Sequence, residues 1–188
     1  HAFAAKNSFV YGDAELSVGG METAECHSMS MEFLCWRGMD RFFAEPEKYK
    51  YSHFCGALSF IPYGTIVDEF QHIIYENPDL TPKERNGVYR SLEAKYRPYL
   101  SFEGIPYLEE GTRWQYQMHI YESPFYYIDY CLAQTAAFGF LLASQEDYDG
   151  AYARYIRLMK QGGETYYEEL LKEAEIPSPF QEGALQTL

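Results

Sequence analysis

The sequence predicts an all-α fold, an irregular assembly of many helices with little or no sheet. Three observations predict it. No stretch of useful length alternates apolar and polar residues with period two, the signature of a half-buried strand. The apolar runs at 47–75 and 124–143 are too long for strands. Two Ser/Thr-Pro steps, Ser123-Pro124 and Thr81-Pro82, place a capping residue directly before a proline, which is how helices begin. A length of 188 residues suits one ordinary domain.

The elements follow in order. Residues 1–7 read as the last two turns of a helix, opening in mid-pattern at His1, and 8–20, with Gly12, Gly19 and Gly20, as a loop. Met21 to Trp36 holds no Gly or Pro and is rich in Met, Glu and Leu, so a helix is expected. From Glu47 to Tyr75 one kinked helix or two helices fit, with the break near Pro62. The Thr81 cap starts a helix that Pro98 should stop near Arg97. Residues 101–113, with Gly104, Pro106 and Gly111, predict a loop or short strand. Ser123-Pro124 should open a helix to about Ala143, followed by helices over 146–160 and 164–174, split by Gly162-Gly163. The tail 177–188 is expected to be loose.

Composition narrows the function. Fifteen basic against 28 acidic residues give a formal charge of -13, which argues against nucleic acid and against an anionic membrane surface. No apolar run reaches 18 residues, so no span is expected, and no charged-then-apolar leader is visible at the N-terminus. Cys26, Cys35, Cys55 and Cys131 are scattered without a C-x-x-C pair, and read as reduced core thiols of a cytoplasmic protein.

Three groups of residues could carry chemistry. The first is His1 with the carboxylates of the Met21–Trp36 helix. Glu22, Glu25 and Glu32 are separated by three and seven positions, hence roughly on one face, beside Met29, Met31 and Phe33 and close to His27. From the residues alone, this is equally a partly exposed acidic stripe. The second is His119 with Tyr121, Tyr126, Tyr127 and Tyr130, where packing explains most rings. The third is Asp68 to His72, whose Glu69 and His72 form a Glu-x-x-His step. Carboxylate-bridged metal bundles need two such steps. Ala24, Lys50 and Tyr116 stand three before His27, His53 and His119, so there is no second one. The 68–72 motif therefore reads as a buried polar cluster that sets helix packing.

The run ETAECHSMSMEFL at 22–34 follows the opening His-Ala-Phe. Together with Ile61-Pro62-Tyr63-Gly64, Asp68 to His72, Tyr75 to Pro78 and His119 to Tyr127, it resembles the catalytic part of the thimet oligopeptidase and oligoendopeptidase F family of zinc metallopeptidases. The resemblance covers most of the chain and implies a helical zincin-type fold. It also implies a helix bearing His-Glu-x-x-His, with a Glu about 24 residues beyond the second His as third zinc ligand. His1 and Glu25 are 24 apart. The resemblance therefore assigns His1 and Glu25 as ligands of one Zn2+ per intact site, and places the first zinc His and the catalytic Glu before residue 1. Glu32 would support the site by bonding a ligand His, or be an ordinary edge Glu. His119, with Tyr126 and Tyr127 and then Tyr130, would hold substrate and donate to the oxyanion.

The expectation is a zinc endopeptidase of short peptides. Residues 1–188 would be the C-terminal part of its catalytic domain, partnered by the missing N-terminal part and inactive alone. A non-catalytic helical peptide-binding module is the alternative.

Overall fold

The computed structural model describes residues 1–13 and 19–187, so part of the loop expected over 8–20 lies outside the described residues. The α-helices are α1 (Ala2–Ser8), α2 (Met21–Leu34), α3 (Pro46–Glu76), α4 (Pro82–Tyr96), α5 (His119–Glu122), α6 (Tyr127–Glu146), α7 (Tyr148–Lys160), α8 (Tyr167–Glu173) and α9 (Ala184–Thr187). Among the described residues there is no strand, and the all-α expectation holds. The 101–113 region forms tight 3-10 turns at Leu108–Glu110 and Thr112–Tyr116 rather than a strand. No helix among the described residues is long and apolar enough to cross a membrane.

The chain divides into two compact units. The first comprises His1–His53 and Leu132–Leu188, and the second Phe54–Cys131, so the divisions fall within α3 and α6.

In the first unit α2 buries Thr23, Cys26, His27, Ser30, Phe33 and Leu34, a stripe at helical spacing. Cys26 and Leu34 join Ala133, Ala136 and Phe140 of α6, Tyr155, Leu158 and Met159 of α7, and Leu170 and Leu171 of α8 in one core. Tyr155 reaches across to donate its hydroxyl to the His27 carbonyl at 2.7 Å. Gly139 lets the chain approach: a Cβ there would lie 2.7 Å from Ile176 Cγ2. In the tail expected to be loose, Ser178 and Ala184 are buried and Ser178 bonds Glu168.

In the second unit α3 continues unbroken through Pro62. An interior proline costs ~3 kcal/mol. Burying Ile66, Val67 and Phe70 completely, at about 1.5–3 kcal/mol each, outweighs that cost. These residues pack with Tyr89, Leu92, Trp114, Ile120 and Tyr127. A Cβ on Gly64 would run into the Cys131 sulfur, so glycine permits this approach of α6. The capping box of α4 is complete: Thr81 accepts from the Glu84 N–H and Glu84 accepts from the Thr81 N–H.

Two expectations need correction. The helix expected from Ser123-Pro124 begins at Tyr127 instead. Phe125 has φ +63, which no α-helix tolerates, and its N–H donates to the buried Gln71 side chain at 2.9 Å. The cysteines are not all core: Cys26 and Cys131 are buried, but Cys35 is exposed and Cys55 half-buried. Burial pushes the Cys26 and Cys131 thiols up to about 12.

Candidate active site

In the first unit, α1 starts at Ala2 and leaves His1 at its N-terminal cap position, half exposed. Glu25 lies in the second turn of α2, its side chain 13% exposed. Its Oε2 stands 3.8 Å from His1 Nε2. The Ser28 hydroxyl, 3.0 Å from both Glu25 Oε2 and the Glu25 carbonyl, holds that carboxylate in place. Glu22 instead curls back over Gly20, so Glu25 is the carboxylate that faces His1.

Both residues line a cavity of about 290 Å³ with mainly apolar walls. His27 also lines it. His27 is buried and its Nε2 meets no hydrogen-bond partner among the described residues. Burial pulls its pKa down to about 4, so this imidazole is neutral.

The donor set of His1 and Glu25 fits zinc, which takes imidazole nitrogen and carboxylate oxygen. Two such ligands about 2.0–2.1 Å from a tetrahedral ion stand roughly 3.3 Å apart, close to the observed 3.8 Å. Among the described residues no group of three or more His, Cys, Asp or Glu could hold a metal.

Glu32 does not bond His1. Its Oε2 is 2.8 Å from His53 Nε2, and the Trp36 indole N–H donates to His53 Nδ1 at 2.9 Å. An indole only donates, so His53 carries its proton on Nε2 and donates to Glu32.

In the second unit, His119 opens the single turn of α5. The preceding loop is pinned on three sides. Arg113 pairs with the buried Glu93 at 2.9 Å, and its guanidinium lies over the Tyr63 and Phe102 rings. The Trp114 indole donates to Asn86 at 2.9 Å. Gln117 is buried between Tyr63 and His119: the Tyr63 hydroxyl donates to its Oε1 at 2.7 Å, and its Nε2 lies 2.6 Å from His119 Nδ1.

Three tyrosines surround the imidazole. Tyr127 meets it edge-on with centroids 4.9 Å apart, Tyr130 edge-on at 5.8 Å, and Tyr126 tilted at 5.9 Å. They differ in access. Tyr127 is 8% exposed, packed on Phe60 and Tyr63, and burial raises its pKa, so it stays a neutral phenol. Tyr126 and Tyr130 are only half-buried. Tyr121 is exposed and stacks on Trp114 instead.

The Glu-x-x-His step is not a buried cluster. Glu69 is bonded by the Tyr96 hydroxyl and by Lys95 at 2.9 Å, and these partners hold its carboxyl below the usual range. His72 is 60% exposed and lies 3.4 Å from Asp68. The fully buried polar side chain of the motif is Gln71, which bonds the Val67 carbonyl and the Phe125 N–H.

Sequence reasoning missed Gln117, Tyr63 and the burial of the His27 imidazole. The one signal for Gln117 was an amide two residues before a singled-out histidine. Tyr63 lies 54 positions from Gln117, and nothing local announces that pairing.

No curated protein matches the chain. Three solved structures do. A protein described as oligoendopeptidase F is 47% identical, with a TM-score of 0.96, and the match covers 100% of this chain and 33% of that one. PZ peptidase A, solved with an inhibitor, is also 47% identical with a TM-score of 0.96, over 100% of this chain and 34% of that one. An oligoendopeptidase F from Bacillus anthracis str. Ames is 39% identical with a TM-score of 0.83, over 100% and 30%. This chain thus spans about a third of the length of the solved relatives it matches. Residues 10–188 match peptidase family M3. A match over so much of the sequence, on a helical fold shared with these relatives, means that the chain belongs to peptidase family M3.

Proposed function

We propose that the intact enzyme containing this chain is a zinc-dependent endopeptidase that hydrolyses short peptides in the cytoplasm. The observation that carries the reading is the His1–Glu25 pair, an imidazole and a carboxylate 3.8 Å apart on the wall of one cavity. These two residues would hold one zinc ion, with a further His and the general base supplied by the part of the enzyme that precedes residue 1. Bound zinc would supply Lewis-acid activation of water and of the scissile carbonyl.

The chain's own residues do the rest. Ser28 orients the Glu25 carboxylate by a hydrogen bond to the oxygen nearest His1. His119 presents an imidazole N–H to the negative charge that develops on the substrate carbonyl oxygen. Tyr126, half-buried beside that ring, is better placed than the packed Tyr127 to offer a second donor from a neutral phenol. Tyr130 stands beside Tyr126 with centroids 4.9 Å apart. The acidic surface, with its charge of -13, favours peptides over nucleic acid as partners.

The test is zinc content and turnover of a quenched fluorescent peptide, measured on one preparation of the full-length enzyme. One zinc per chain and loss of cleavage on chelation are expected. Undiminished cleavage by metal-free enzyme overturns the reading. Residues 1–188 alone should cleave no peptide, since two ligands do not close the site.

A further inference from the structure

We infer that Gln117 is a positioning residue that fixes the tautomer of His119, holding the proton on Nε2 and so making that ring edge the hydrogen-bond donor. The effect on catalysis rests on the reading of His119 given above, but the tautomer itself does not.

The argument is one of donors and acceptors. A glutamine side chain has a carbonyl that only accepts and an amide NH2 that only donates. The Tyr63 hydroxyl donates to the carbonyl end at 2.7 Å, which turns the amide nitrogen toward His119. That nitrogen lies 2.6 Å from Nδ1. An NH2 group can only donate there, so Nδ1 must be the bare nitrogen of a neutral ring. The proton is then on Nε2, the ring's remaining hydrogen-bonding atom, on an imidazole packed among Tyr126, Tyr127 and Tyr130.

The relay is held rigidly, as a tautomer lock requires. Gln117 is 8% exposed, and its backbone N–H donates to the Trp114 carbonyl at 3.1 Å. Tyr63 is half-buried between the edge of Tyr127 and two guanidinium groups, Arg97 and Arg113, each 5.5 Å from its ring centre. Neither Gln117 nor Tyr63 need touch substrate. Both act through His119, as outer partners of ligand histidines do in metal sites.

The experiment uses full-length enzyme labelled with 15N-histidine. A long-range proton–nitrogen correlation reports which ring nitrogen bears the proton, and the His119 signal is identified by its loss in His119→Asn. Wild type should show the Nε2–H tautomer. In Gln117→Glu the new carboxylate only accepts, so Nδ1 should gain a proton and turnover should fall at least about tenfold with zinc content unchanged. Gln117→Leu should fall less, by about three- to fivefold, because it removes the lock without reversing it. A purely structural role predicts the opposite order, since Glu keeps the shape of Gln and Leu does not.

Tyr63→Phe keeps the ring in place and frees the amide to turn. It should give a mixture of both tautomers, and it serves if Gln117→Glu fails to fold. An Nδ1–H signal in wild type overturns the inference, as does an unchanged His119 signal in both Gln117→Glu and Tyr63→Phe. If the tautomer behaves as stated but His119→Asn keeps turnover within a factor of two, the lock is real. The donor role of His119 then fails instead.

Discussion

The two units carry their chemistry in different ways. In the second unit, His119 sits in a closed network: Tyr63, Gln117, Arg113, Trp114 and Tyr127 each have a partner on the same unit. In the first, His1 is half exposed, Glu25 opens on a cavity, and the buried His27 Nε2 meets no partner among the described residues. Donation to developing charge works best from groups fixed in advance, so a loop pinned on three sides suits it. On the proposed reading the first unit would lend two ligands to a zinc site that draws the others from elsewhere. The units would then differ in how much of their site each contains, and substitutions in them should fail differently.

The largest effect is expected at Glu25. In the full-length enzyme, Glu25→Gln should lose most of its zinc and at least about 10³-fold in turnover, since a removed ligand costs more than the 10–100-fold of an outer partner. Glu22→Gln should keep its zinc, because that carboxylate folds over Gly20. Metal analysis of the two purified variants decides between them. Zinc retained by Glu25→Gln and lost by Glu22→Gln would transfer the ligand role to Glu22.

Next comes His119→Ala, which should leave zinc content intact and lower turnover by about 10²–10³, the usual cost of one oxyanion donor. Turnover and turnover over KM should fall together. Tyr126→Phe should cost more than Tyr127→Phe, because the Tyr127 ring is embedded in the core and Tyr126 is half-buried. The reverse order would mean that the Tyr127 hydroxyl, not Tyr126, faces substrate. The sharpest contrast between the units is metal content: it should track substitutions in the first and ignore those in the second.

How much of this was legible in the sequence depends on how local each determinant is. The start of α4 was readable because Thr81, Pro82 and Glu84 are neighbours and the cap is a local hydrogen-bond pattern. The helical class was readable from long apolar runs without alternation. The start of α6 was misread because Phe125 takes its left-handed backbone in company with Gln71, 54 positions earlier, and no local pattern encodes that. For the same reason the bond from His53 to Glu32, 21 positions apart, was not legible, and the sequence left Glu32 either a support for a ligand His or an ordinary edge Glu. The spacing of His1 and Glu25 suggested a ligand pair only through the family resemblance. The residues themselves allowed an exposed acidic stripe.

Packing offers a smaller contrast, with one glycine in each unit. Gly139→Ala in the first should destabilise by up to about 2 kcal/mol, the 1–3 kcal/mol of overpacking less ~1 kcal/mol of helix propensity gained. The atom it meets is on Ile176, a stiff β-branched side chain that is itself buried. Gly64→Ala in the second should cost less, because the Cys131 thiol can swing aside by surrendering its contact with the Ile61 carbonyl. Denaturation midpoints of the two variants test the order. If Cys131→Ala, added to Gly64→Ala, restores nothing, the thiol is not what glycine accommodates there.

The smallest effects concern helix starts, where the units also differ. In the second, α4 has a full capping box, with the Thr81 hydroxyl donating to Glu84 Oε2 at 2.7 Å. In the first, α2 starts from Gly20 with no side-chain cap. Thr81→Ala should therefore cost ~1 kcal/mol, which is about fivefold faster hydrogen exchange at the first-turn amides of α4 if these open locally. Gly20→Ser should stabilise α2 by only a few tenths of a kcal/mol, since glycine is already an acceptable cap. The backbone there is extended, with φ -53 and ψ 161, which serine adopts freely, and the atoms its Cβ would meet belong to the movable Glu22 carboxylate. Exchange at the amides of Glu22 and Thr23 should slow by less than about twofold. If Gly20→Ser instead speeds exchange along α2, Glu22 cannot move away from Gly20. Its carboxylate would then be the group that holds the start of this helix, and with it the placement of Glu25.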